Sequence, residues 1–121
     1  MIEKPVFIQG LFLFEGSGLA RPLPFIPPVT YDVPADKHAR TIYFRGGNPS
    51  DEMIYVVLTR NGTPMRYFPV GAKGAVHVTL AVVEDLSPGD QIEVQVGAPA
   101  GLESSLVLDI GLLEIASIAG N

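Results

Sequence analysis

The sequence predicts an all-β protein, a two-sheet antiparallel β-sandwich of about seven or eight strands. Three observations carry that prediction. Apolar residues recur at every second position or in continuous runs, and not at helical spacing. Thirteen glycines and eleven prolines in 121 residues interrupt the chain too often for long helices. Strong turn signals also fall between apolar runs of strand length.

A chain of this length forms one domain, residues 1–121, large enough to bury roughly two thirds of its unfolded surface and to fold without staples. There is no cysteine, which excludes disulfides and thiolate metal sites. The net charge is −5 and the eight lysines and arginines are scattered, so nucleic acid is not an expected partner. Hydrophobic residues make up 47% of the chain and charged ones only 17%, against about 25% charged in an average domain. Other subunits are therefore expected to hide part of the apolar surface.

In chain order, the first strand is expected over Val6 to Phe14, with Gln9 and Gly10 inside it. The residues before it include no basic leader and no small-residue cleavage site, which predicts synthesis in the cytoplasm without a signal peptide. No run reaches the roughly 18 apolar residues needed to span a bilayer, so no membrane partner is expected. Residues 21–28, Arg-Pro-Leu-Pro-Phe-Ile-Pro-Pro, read as an extended, polyproline-like N-terminal arm that stays out of the sheet interior. Leu23, Phe25 and Ile26 are too apolar for a free linker, so the arm should lie over its own sandwich or over a neighbour. A weaker strand follows at Val29 to Val33. Further strands are expected at Thr41 to Arg45, Met53 to Arg60, Met65 to Val70, Val76 to Glu84, Gln91 to Val96 and Leu106 to Ile115.

The turns are better specified than the strands. Asn61 and Gly62 both tolerate positive φ and form a strong hairpin signal. In Ser87-Pro88-Gly89-Asp90, Pro88 presets φ and Gly89 supplies the positive φ of a type II turn. Asn48 to Asp51, after Gly46-Gly47, marks a third break.

Two kinds of strand emerge from face analysis. Ile92, Val94 and Val96 alternate with Gln91, Glu93 and Gln95, giving one wet face. From Met53 to Leu58 both parities are apolar, and the same holds for Val6 to Phe14 and much of Leu106 to Leu113. A lone sandwich has no second dry side, so Met53, Tyr55, Val57, Val107 and Leu113 are expected at an oligomer interface.

The segment from Tyr55 through Thr59, Arg60, Asn61, Gly62, Thr63 and Pro64, then Leu86 to Asp90 with its Pro-Gly-Asp turn, then Asp109 to Leu113, resembles the globular jelly-roll head of complement-type and tumour-necrosis-factor-type proteins. Similar modules occur in bacterial and phage surface proteins. The resemblance covers about half the chain. It implies a jelly-roll sandwich and a compact homotrimer with the last strand near the threefold axis. The N-terminal half, including Val29 to Arg40, departs from the eukaryotic heads and is more similar to small phage virion modules.

A search for chemistry turns up little. His38 and His77 are separated by a turn-rich half-domain, and His77 is expected on an outer face with Thr79, solvated or at an interface. Glu84, Asp85 and Asp90 surround one loop and offer oxygen ligands for calcium, but their spacing matches no calcium motif. Solvated turn residues are expected there, with Asp90 bonded to backbone. No nucleophile elbow or phosphate loop occurs. The resulting expectation is a non-enzymatic structural protein without cofactors, an oligomeric, trimeric virion-surface module such as a phage capsid decoration or appendage protein. Its partners would be itself and a capsid or tail protein. The alternative is a carbohydrate- or ligand-binding sandwich using Tyr31, Tyr43, Tyr55 or Tyr67, against which the absence of tryptophan weighs. A small cupin-like enzyme is a third possibility, opposed by the missing histidine cluster.

Overall fold

A computed structural model describes residues 3–80 and 84–116, all strands and turns. The strands are β1 (Glu3–Glu15), β2 (Gly18–Asp32), β3 (Lys37–Gly47), β4 (Ile54–Arg60), β5 (Thr63–Val70), β6 (Ala75–Thr79), β7 (Asp85–Leu86), β8 (Gln91–Ala98) and β9 (Glu103–Ala116). Every pairing is antiparallel.

The chain is a long two-stranded ribbon whose tip is the Asn61-Gly62 turn. β4 lies on β5, β3 on β6 and β7, β2 on β8, and β1 on β9. Rolled up, the ribbon makes two sheets, β1-β9-β3-β6 and β2-β8-β4-β5, joined at the single bridge Leu13↔Ile26. That is a jelly roll, the all-β sandwich expected, with a short extra strand. The predicted strand Val76 to Glu84 is interrupted: β6 and β7 take successive stretches of β3, and residues 81–83 fall outside the described ones.

The proline-rich segment corrects the expectation of an arm outside the sheet. It lies within β2, pairing with β8 at Leu23↔Val96 and Pro24↔Gln95, then again from Val29↔Val94. Between those points residues 25–28 have no register partner in β8, so Pro27 and Pro28 are asked for no ladder hydrogen bond. The other edge of β2 meets β1 only at Leu13↔Ile26. Proline is tolerated because the strand is paired along only part of one edge. Phe25 is fully buried, tilted against Phe12 and edge-on to Phe14, while Leu23 and Ile26 remain exposed.

The core lies between the sheets. The first contributes Phe14, Ala39, Phe44, Leu106, Leu108, Ile110 and Leu112 to it, and the second Ile54, Val56, Leu58, Phe68, Ile92, Val94 and Val96. Phe44 stacks on Phe68 across the sandwich at 4.1 Å between ring centroids. At one end the inward row of β9 finishes in a buried Glu114. Its Oε2 accepts a 2.5 Å hydrogen bond from the Tyr31 hydroxyl, and Lys37 Nζ stands 3.6 Å from Oε1. Burial first, then that hydrogen bond, pushes the Tyr31 phenol well above the ordinary tyrosine range.

The ribbon tip is locked to the turn before β8. Asn61 and Gly62 have φ of 51° and 84°, and Gly89 has φ of 84° with Asp90 N donating to Ser87 O at 3.0 Å. Asp90 ties the two turns together. Its Oδ2 accepts from Ser87 N at 2.8 Å and lies 2.7 Å from Arg60 Nη2, and its Oδ1 accepts from Asn61 Nδ2 at 2.9 Å. The Asn61 bond leads the interactions that hold the Asp90 carboxyl below its ordinary value of 3.8. A lowered folded pKa gives stability that is present above the unfolded value and lost as pH falls through the folded one. Asp90→Ala is therefore expected to cost about 1.5–3 kcal/mol at pH 7 in urea unfolding, with the gap to wild type narrowing as pH falls below the ordinary carboxylate range. A gap that stays constant down to pH 2 would refute this role.

Candidate functional site

The outer face of the first sheet can be laid out from its registers. β1 presents Phe7, Gln9, Leu11 and Leu13 outward, because Val6, Ile8, Phe12 and Phe14 turn to the core. In β9 the alternation sends Val107, Asp109, Gly111 and Leu113 outward, and the pairs Leu11↔Val107, Gln9↔Asp109 and Phe7↔Gly111 make cross-strand rows. β3 extends the rows with Gly47, Arg45 and Tyr43, and β6 with Ala75, His77 and Thr79.

Apolar side chains dominate this face at β1. Phe7 is 53% exposed, Leu11 64%, Leu13 59% and Val107 53%. Across the seam, Leu13 pairs with the exposed Ile26 of β2. β1 bears no charged residue from Pro5 to Phe14, so its open edge lacks the charges that usually discourage association. Single exposed leucines are ordinary, but a contiguous apolar run on one edge marks a contact surface.

One polar row crosses the face. Asp109 Oδ1 accepts hydrogen bonds from the Tyr43 hydroxyl at 2.7 Å and Gln9 Nε2 at 3.0 Å, and Oδ2 is 3.8 Å from Arg45 Nη1. The Tyr43 bond first, then that of Gln9, holds the Asp109 carboxyl low, and the same Tyr43 bond raises the phenol. His77 sits edge-on to Tyr43 at 6.1 Å. Tyr43 lies over Gly111, where a Cβ would come within 2.0 Å of the ring. A shallow hollow of about 430 Å³ opens beside the row, floored by Gly46 and Gly47 and walled by Arg45, His77 and Val107.

The outer face of the second sheet has a different character. Tyr55 lies across Gly97, whose added Cβ would stand 2.1 Å from the ring, and its hydroxyl donates to Leu19 O at 2.7 Å. Tyr67, 59% exposed, is tilted against it at 5.8 Å. Gln95 Nε2 donates to Glu93 Oε1 at 2.7 Å on the neighbouring strand.

These positions divide the predicted interface set. Val107 and Leu113 are on the first sheet; Met53, Tyr55 and Val57 belong to the second, so the five do not form one patch. Val57 is a correction. It is 0% exposed within the single chain, flanked in register by Tyr67 and Gln95, so it offers no area to a partner. Phe7, Leu11 and Leu13 were missed as named residues, although the double apolar parity of β1 signalled them.

The candidate ligand groups do not converge. His77 pairs in register with Arg45, and His38 lies seven residues back along β3, on the order of 20 Å away. Glu84, Asp85 and Asp90 each face a different arginine, Arg66 at 3.2 Å, Arg40 at 2.6 Å and Arg60 at 2.7 Å. Among the described residues no group of three or more His, Cys, Asp or Glu is placed to hold a metal ion. Of the four tyrosines, only Tyr55 and Tyr67 share a surface.

No protein-family model matches the sequence, and no curated protein matches it. Among solved structures the chain is similar to the CBM36-1 domain of a multidomain xylanase from the hindgut metagenome of Trinervitermes trinervoides. That match has 19% identity and a TM-score of 0.56 over 97% of this chain and 100% of that one. It is also similar to a chain of infectious bursal disease virus Gx strain, with 12% identity and a TM-score of 0.44 over 100% of this chain and 34% of that one. A third is the exo-β-1,3-galactanase of Phanerochaete chrysosporium with galactose, 15% identical with a TM-score of 0.39 over 95% of this chain and 30% of that one. The first likeness shows the fold alone. The other two, where this chain spans about a third of a longer one, carry no argument, and none of the three is a complement-type or tumour-necrosis-factor-type head.

Proposed function

We propose that this chain is a non-enzymatic assembly module that associates with copies of itself through the outer face of the β1-β9-β3-β6 sheet. The observation that carries the reading is the exposure of Phe7, Leu11, Leu13 and Val107 together along β1 and β9. Leu11, Leu13 and Val107 lie in adjacent rows, with Phe7 on the far side of the Gln9–Asp109 row; their contact with water is unfavourable, and a second subunit removes it. The Asp109 row crosses that surface as a fixed set of donors and acceptors, which favours one register of association over others.

In its finer form the module is a homotrimer on a virion surface, a capsid decoration or appendage protein whose further partner is a capsid or tail protein. Two features support the trimer. The sequence resemblance implies a threefold axis near the last strand, and that strand, β9, carries Val107 and Leu113 on the outer face. Light scattering of the purified chain at micromolar concentration is expected to give three times the 12.9 kDa chain mass. A monomer that persists on concentration would refute the reading.

A further inference from the structure

We infer that the outer face of the second sheet is a binding platform for a neutral oligosaccharide, with Tyr67 and Tyr55 as its stacking surface. This goes beyond the assembly reading and needs nothing from it, since it uses the opposite sheet. Tyr55 is held in place from two sides. Gly97 lets the ring lie close against β8, and the hydroxyl is tied to Leu19 O at 2.7 Å. Its conformation is therefore set before any ligand arrives. Tyr67 adds an exposed ring beside it, and its hydroxyl has no hydrogen-bond partner among the described residues.

The ligand class follows from size, polarity and charge. A protein partner needs roughly 800 Å² on each side, while two partly exposed tyrosines offer on the order of 200 Å². That suits the C–H face of one or two pyranose rings. Hydroxyl recognition requires adjacent donors and acceptors, and the Gln95 and Glu93 pair supplies them on β8, Gln95 lying in the same cross-strand row as Tyr67 with Val57 between them. The Glu93 carboxylate and the net charge of −5 disfavour an acidic glycan, so the sugar is neutral. In an oligomer formed through the first sheet, several such platforms would act together, raising avidity over weak single sites.

The test is an array of neutral and acidic oligosaccharides probed with the wild-type chain, followed by titration of the strongest neutral hit against Tyr67→Ala and Tyr67→Phe. Tyr67 is exposed on an edge strand, so both variants should keep the wild-type unfolding midpoint. A neutral hit is expected, weakened about tenfold in Tyr67→Ala and held within about threefold in Tyr67→Phe, which keeps the ring. No signal from the wild type, binding to acidic glycans only, or equal binding by Tyr67→Ala would each overturn the inference. None of those results bears on the light-scattering mass, so the platform and the assembly face fail separately.

Discussion

Val57→Asp should unfold the chain instead of merely separating its copies. The side chain is fully buried within one molecule, between Tyr67 on β5 and Gln95 on β8. Neither register partner is a cation. A carboxylate there is desolvated without a partner, at a cost of several kcal/mol, about 4 or more. Against a total stability of about 5–15 kcal/mol for a domain, such a loss leaves a largely unfolded population at 37 °C. Urea unfolding followed by circular dichroism reads it directly. A variant that keeps the wild-type midpoint but falls apart into monomers would mean that other subunits cover Val57.

Leu11→Lys is the counterpart, large in its effect on assembly and small in its effect on the fold. Leu11 is already mostly exposed in the single chain, so the folded monomer loses little, within about 0.5 kcal/mol. A lysine on an edge strand is also a common guard against association. At a subunit interface, however, the ammonium would be buried opposite apolar neighbours such as Val107 with no carboxylate in its row. Each 1.4 kcal/mol of that cost weakens association tenfold. A penalty of several kcal/mol lowers affinity by a factor of a thousand or more.

Comparing the two substitutions shows what the sequence could and could not reveal. The turns at Asn61-Gly62 and Pro88-Gly89 were legible because positive φ is written into residue type, and they set the tip and one end of the rolled ribbon. Parity along β9 also placed Val107 outward, since a period of two needs no knowledge of partners. What parity does not contain is the identity of the neighbouring strands. Val57 was read as uncovered because its cover, Tyr67 and Gln95, comes from two other strands of the same sheet. Met53 and Val107 were joined in one interface because nothing local tells which of two sheets a strand enters.

The proline-rich stretch failed for a related reason. Proline excludes a residue from donating to a ladder, but β2 is asked to donate along only part of one edge. Residue type gives the local prohibition, while topology decides whether it applies. The glycines under Tyr55 and Tyr43 were equally hidden. Gly97 and Gly111 look like weak points in strands until the rings that cross them are in view.

The outer faces of the two sheets therefore differ in kind, one apolar along the uncharged β1 edge and crossed by a single polar row, the other small, aromatic and polar-rimmed. The measurement that tests the assembly face most directly is the solution mass of wild type, Leu11→Lys and Met53→Lys by light scattering at one concentration. Met53 is 46% exposed at the entry to β4, on the other sheet. The account predicts a trimer for wild type and Met53→Lys and a folded monomer for Leu11→Lys. A Leu11→Lys protein with the wild-type mass, or a Met53→Lys protein reduced to monomer, would contradict it.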